Sequence, residues 1–126
     1  MYWFSYGIAL LSALGIVVIG SMYLVRPRAA AGSFSLPLPE PGANIAWWLR
    51  LKGVRDIVAG MVVLATMTWA EPRIVGIVLA VEALIALGDG SLVLAAKGRA
   101  RAAWAMHYPT GALMILAAAP LILARV

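Results

Sequence analysis

Residues 3–25 read WFSYGIALLSALGIVVIGSMYLV, without one charged side chain. No other feature constrains the fold as hard. Roughly 20 mainly apolar residues make a helix long enough to cross the hydrocarbon core of a bilayer. Inside lipid every backbone N–H and C=O must be satisfied within the chain, which leaves helices and rules out open sheets. The run is too long for a signal peptide, has no basic segment before it and is followed by Arg26 and Arg28. It is therefore expected to be an uncleaved span.

Three further stretches are long and apolar enough, at about 45–69, 72–96 and 102–124. Span three opens on Pro72, a first-turn position where the missing N–H costs little. The four runs predict an all-α, single-domain integral membrane four-helix bundle with antiparallel spans. The chain is 64% hydrophobic and 12% charged, far less charge than a soluble domain of this size needs. A net charge of +5 would suggest nucleic acid in a soluble protein. Here the basic residues sit at the ends of apolar runs, and no basic stripe with interleaved aromatics occurs, so nucleic acid is excluded as a partner. Anionic lipid headgroups are the expected partners of these charges. The absence of cysteine excludes disulfides, thiolate nucleophiles and cysteine-ligated metals.

Charge also orients the chain. Arg26, Arg28, Arg50, Lys52, Lys97, Arg99 and Arg101 belong to one face, and Arg73 and Arg125 to the other. The positive-inside rule then puts both termini outside and linkers 26–45 and 97–101 in the cytoplasm, the membrane being the bacterial inner membrane. Trp3, Trp47, Trp48, Trp69 and Trp104 fall near span ends, where indoles form interfacial belts; Trp48 is also a candidate substrate contact. The first linker, RPRAAAGSFSLPLPEPGAN, is long for a small bundle and rich in proline, which disfavours helix. It can lie over the bundle mouth as a lid or be an ordinary interfacial loop.

The charges that do not sit at span ends carry the chemistry. From the rise of a helix, Arg55 and Asp56 lie roughly 12 Å into the membrane, Asp89 roughly 12 Å and His107 roughly 9 Å, all measured from the same side. Three spans thus deliver ionisable groups to one layer. Glu82 lies two turns before Asp89 on the same face of span three, and Tyr23, Ser21 and Tyr108 reach comparable depth. Lys52 is close enough to the boundary to snorkel and is read as an anchor. Charges at this depth are costly, by about 2.5–3.5 kcal/mol each at the centre of a span. Arg55 keeps its proton and must find a carboxylate. Asp56 points about 100° away around the helix, so Asp89 or Glu82 across the interface is the expected partner. The carboxyls outnumber that one certain cation, so one of them is expected to stay protonated, as a general acid requires. The arginine in the layer opposes a metal site. Glycines at 15, 20, 53, 60, 88 and 90 allow close helix approach around it.

At these residues the chain resembles an uncharacterised domain-of-unknown-function family of small four-span membrane proteins, with the DoxX-like four-helix proteins as looser relatives. The shared features are GVRDIVAG in span two (Gly53, Arg55, Asp56, Gly60), Asp89 in LGDGSLVL and His107 early in span four. The likeness covers most of the chain beyond the first linker. It implies a four-helix bundle with a shared polar site and no established activity.

The chemistry leads to an enzyme acting on a lipophilic small molecule. Asp56 or Asp89 exchanges a proton with the substrate, Arg55 separates their acidities and His107 relays the proton. Glu82, Tyr23, Tyr108 and Trp48 are the candidate substrate contacts. Epoxide opening or cyclisation and double-bond isomerisation both suit such a pair of carboxyls. Neither needs a cofactor, and no nucleotide-binding glycine loop is present. One alternative is a proton-coupled transporter, which with four spans requires a homodimer and would use Glu82 as its coupling carboxylate. Another is a structural or lipid-binding subunit whose polar layer only fixes helix register. An enzyme requires a cavity within the protomer; a staple requires none.

Overall fold

The computed structural model describes residues 2–123. Five helices follow in order: α1 (Trp3–Val25), α2 (Pro27–Ser33), α3 (Ile45–Trp69), α4 (Pro72–Ala95) and α5 (Ala100–Ile122). No strand occurs among the described residues. Arg125 and the expected end of span four at 124 lie outside them. Helices α1, α4 and α5 are each long and apolar enough to cross a membrane, which marks the chain as an integral membrane protein. Helix α3 is as long, at 25 residues, but Arg50, Lys52, Arg55 and Asp56 crowd its first half.

The four long helices pack as two antiparallel pairs, α1 with α3 and α4 with α5. Small residues set both seams. A Cβ on Gly53 would lie 2.6 Å from the Gly20 carbonyl oxygen, and one on Gly60 would lie 2.6 Å from that of Ala13. Across the other seam, a Cβ on Gly76 would meet Leu121 at 2.8 Å, and one on Gly111 would meet Leu87 at 2.7 Å. Backbones that approach this closely have no room for a side chain. The pairs meet each other less tightly: α3 and α4 touch little although only Ala70 and Glu71 join them. Where they do close, small buried residues form the core, with Ala9 and Ala13 on α1, Ala83 on α4 and Ala117 on α5. The outer faces expose large apolar side chains such as Leu11, Val18, Val58, Leu84 and Leu116, as lipid-facing helices do.

The first linker departs from the extended conformation its prolines suggest. Pro27 occupies a first-turn position and starts α2, which the alanines after it sustain. Ala30 and Ala31 are buried. Beyond α2, Ser35 adopts a left-handed backbone (φ 76°) and accepts a hydrogen bond from the Arg99 N–H at 3.1 Å. Helix α4 ends in a Schellman motif, with Gly98 N–H on Val93 O and Lys97 N–H on Leu94 O. A Cβ on Gly98 would collide with the Ser35 carbonyl. Glycine is therefore required for the linker to dock on the α4–α5 turn.

Candidate functional site

A cavity of ≈ 410 Å³ lies where the two helix pairs fail to close. Its polar end is built from four helices and the first linker. Helix α1 contributes Tyr23, α3 Lys52, α4 Asp89 and α5 His107, and Phe34 arrives from the linker. Leu11, Ile19 and Met106 line the same space and are exposed, so the cavity has a lateral mouth between α1 and α5. The polar residues converge because each sits where its helix faces the gap between pairs. Gly90, next to Asp89, gives His107 room: a Cβ there would stand 3.1 Å from the His107 Cβ. Gly88, on the other side of Asp89, has open space around it, so only one of the two flanking glycines serves packing.

Lys52 is the cation of this site. Its Nζ donates to Asp56 Oδ2 at 2.6 Å, one helical turn away. The same ammonium lies 4.6 Å from the Tyr23 ring centre and 5.0 Å from that of Phe34, distances at which a ring face attracts a cation. Phe34 in turn packs on His107, ring centres 5.0 Å apart. Asp89 lies in the field of Lys52, His107 and Asp56. A lipid-facing anchor would not be surrounded in this way; Lys52 turns inward instead of snorkelling.

Arg55 takes the opposite course. It is exposed and makes no ion pair with Asp89 or Glu82; the Lys52–Asp56 bridge is the one salt bridge among the described residues. The expected arginine–carboxylate pair is replaced because Lys52, on the turn before, already faces Asp56 and points into the bundle. Arg55 lines a second cavity of ≈ 420 Å³ with Trp48 and Asp56. Lys52 and Asp89 border both cavities and form part of the wall between them. Asp56 thus reaches the first cavity through Lys52.

The remaining expected residues divide. Glu82 and Tyr23 line the first cavity. Tyr108 does not; its hydroxyl lies 3.0 Å from Ser91 Oγ and its ring stacks on Trp104. Ser21 turns its hydroxyl back to the Val17 carbonyl. Three residues of the site escaped sequence reasoning. Lys52 was assigned to the boundary, although its four-residue spacing from Asp56 was a visible pairing signal. Phe34 reaches the site only because the linker docks. Ser12 gave no signal in the sequence. No group of three or more His, Asp or Glu side chains among the described residues is arranged to hold a metal ion.

His107 owes its position to a local irregularity. Residues Ala103–His107 form a π-helical turn inside α5. The Tyr108 N–H reaches five residues back to the Ala103 carbonyl. Pro109 follows; it has no N–H to offer the Ala105 carbonyl, and its ring crowds that oxygen. The widened turn relieves the clash. Turns of this kind inside α-helices recur at functional sites.

Compared with known families, residues 13–121 match the one described as Domain of unknown function (DUF4267). The match includes Arg55, Asp56, Asp89 and His107. No curated protein and no solved structure matches the chain.

Proposed function

The chain belongs to the DUF4267 family, and from that premise we propose that it catalyses proton transfer on a lipophilic small molecule held inside the membrane. The observation that carries this reading is the 410 Å³ cavity into which Asp89, His107 and Lys52 all project. A polar layer that served only as a staple would leave no such space. A coupling carboxylate on a dimer axis would not need one inside the protomer. Cavities of this size, mostly apolar with a few convergent polar groups, suit small-molecule ligands.

Asp89 and His107 are the proton-transfer groups. Asp89 has no hydrogen-bond partner in the protein among the described residues, so its carboxyl is free to meet a ligand. In a double-bond isomerisation, Asp89 takes a proton from one carbon and the pair returns a proton to another, leaving the site as it began. The Lys52 ammonium, partly neutralised by Asp56, stabilises negative charge that builds on a substrate oxygen. In epoxide opening or cyclisation, one group protonates the departing oxygen while the other activates the nucleophile. The substrate enters from the bilayer, through the mouth bordered by Leu11, Ile19 and Met106.

The same proposal includes four spans, with both termini outside and linkers 26–45 and 97–101 in the cytoplasm of the bacterial inner membrane. Connectivity supports the fourth span. The Arg99–Ser35 hydrogen bond ties both linkers to one end of the molecule. The chain between them consists of α3 and α4, so if α4 crosses the membrane, α3 must cross as well.

The test is isotope uptake from solvent water. Purified protein in lipid nanodiscs is incubated with β,γ-unsaturated ketones in heavy water and with lipophilic epoxides in 18O-labelled water, and deuterium at carbon or 18O in the product is read by mass spectrometry. The wild type should label a substrate, and Asp89→Asn and His107→Ala should abolish labelling while melting like the wild type. Equal labelling by wild type and Asp89→Asn would sink the reading.

A further inference from the structure

The cavity has a second polar end. Measured along the helices, Glu82 lies seven residues before Asp89, a rise of about 10 Å. It shares that depth with Ser12 on α1, Val63 on α3 and Met114 on α5, all lining the cavity. Glu82 and Ser12 are half-buried. Several hydroxyls on these helices turn back to their own backbone: Ser21 to Val17 O at 2.8 Å, Ser91 to Leu87 O at 2.9 Å and Thr110 to Met106 O at 2.6 Å. Ser12 makes no such bond, and Glu82 has no partner among the described residues. Polar groups in an apolar setting carry a cost unless something satisfies them, and the cavity beside these two leaves room for a ligand group.

We propose that Ser12 and Glu82 form a distal subsite that binds a hydroxyl group of the ligand, about 10 Å from the group handled at Asp89. A hydroxyl fits both residues, donating to the Glu82 carboxyl and accepting from Ser12 Oγ–H. The substrate is thus an elongated lipid-like molecule with an oxygen function near each end and an apolar middle, matched by Ile16, Ala59 and Ile85 between the two polar ends. This rests on the catalytic reading of the cavity and adds the substrate class.

The test uses 1,8-octanediol and 1-octanol, which differ in the distal hydroxyl, with binding read as the rise in Tm of protein in nanodiscs. Partitioning into lipid cancels when the ratio of the two affinities is compared between variants. The wild type should favour the diol about five- to tenfold more than Glu82→Leu does. Ser12→Ala should lose part of that preference and serves alone if Glu82→Leu fails to fold. Without ligand, Glu82→Leu should melt above the wild type, because it removes an unpartnered carboxyl. Asp89→Asn should weaken both alcohols alike. The same affinity ratio in wild type and Glu82→Leu overturns the subsite and leaves the catalytic reading standing. A diol preference that depends on Glu82, with both affinities left unchanged by Asp89→Asn, upholds the subsite and counts against Asp89 as the reactive end. No binding of either alcohol by the wild type overturns both.

Discussion

Lys52 has two ways to place its charge. Its four-carbon stem can reach for the membrane boundary, or it can turn into the bundle. It turns inward because Asp56 and the faces of Tyr23 and Phe34 receive the ammonium. Asp56 has little alternative: its side chain is 11% exposed, against 32% for Lys52. A carboxylate left there without its cation carries a large desolvation penalty, whereas loss of the exposed Arg55 strands nothing. Lys52→Met should therefore lower unfolding stability by about 1–3 kcal/mol, and Arg55→Met should change it by no more than about 0.5 kcal/mol. The double variant Lys52→Met, Asp56→Leu should cost less than Lys52→Met alone, since it removes both charges. Chemical denaturation in detergent measures all three. An Arg55 variant as damaged as the Lys52 one would mean that the arginine has a buried partner. That Asp89 and His107 lie at one level of the bundle was legible, because residue counts from span ends suffice; both line the same cavity. Which of two neighbouring cations enters it depends on helix rotation, and the count does not give that.

The helices themselves follow apolar run length closely. Span one was expected at 3–25 and α1 is Trp3–Val25; the run at 45–69 is α3. Their pairing rests on small residues spaced seven apart, Ala13 and Gly20 on α1 facing Gly60 and Gly53 on α3. Composition alone gives every glycine the same apparent role, but the contacts separate them. Gly60→Ala must push the Ala13 carbonyl away and should destabilise by about 1–3 kcal/mol. Gly15 faces the cavity with nothing within 4 Å of an added Cβ, so Gly15→Ala should stabilise by about 0.5–1 kcal/mol through helix propensity. Thermal melts of the two variants should shift in opposite directions. In α5 the irregular element is the π turn before Pro109. Pro109→Ala restores an N–H to the Ala105 carbonyl and removes the crowding that widens the turn. The helix should hold or gain stability, while His107 rotates away from Phe34. The proposed proton exchange should fall ten- to a hundredfold, as expected if His107 is a proton-transfer group misplaced by about 1 Å. An active Pro109→Ala protein would show that the wide turn does not set the position of His107. The linker was the least legible element. Its docking joins Ser35 to Arg99, a contact between distant parts of the sequence that no local pattern encodes.

At the scale of the whole molecule the placement of α3 decides the topology. Its 25 residues span about 37 Å, more than the roughly 30 Å of hydrocarbon. In the proposed four-span arrangement the excess leaves Arg50 at the boundary; its Nε donates to the Leu24 carbonyl at 3.2 Å. Lys52 and Asp56 enter as a pair facing the bundle, and residues 57–69 carry no charge. Arg55 is then the single uncompensated charge, a cost of about 3 kcal/mol or less once it snorkels. Close packing of α3 on α1 at Gly53 and Gly60 offsets it. The alternative is that α3 lies along the interface and only α1, α4 and α5 cross. In that case linkers 26–45 and 97–101 would face opposite sides of the membrane, and the Arg99–Ser35 bond could not form. The chain has no cysteine, so a single introduced thiol reports without background. Ala29→Cys on α2, Ala96→Cys in the α4–α5 turn and Thr68→Cys near the end of α3 all place the thiol at exposed positions. With a membrane-impermeant maleimide added to intact cells, Thr68→Cys should react, and Ala29→Cys and Ala96→Cys should react only after permeabilisation. Three spans would instead place Thr68 and Ala29 on one side and Ala96 on the other, a labelling pattern that no rotation of a four-span bundle produces.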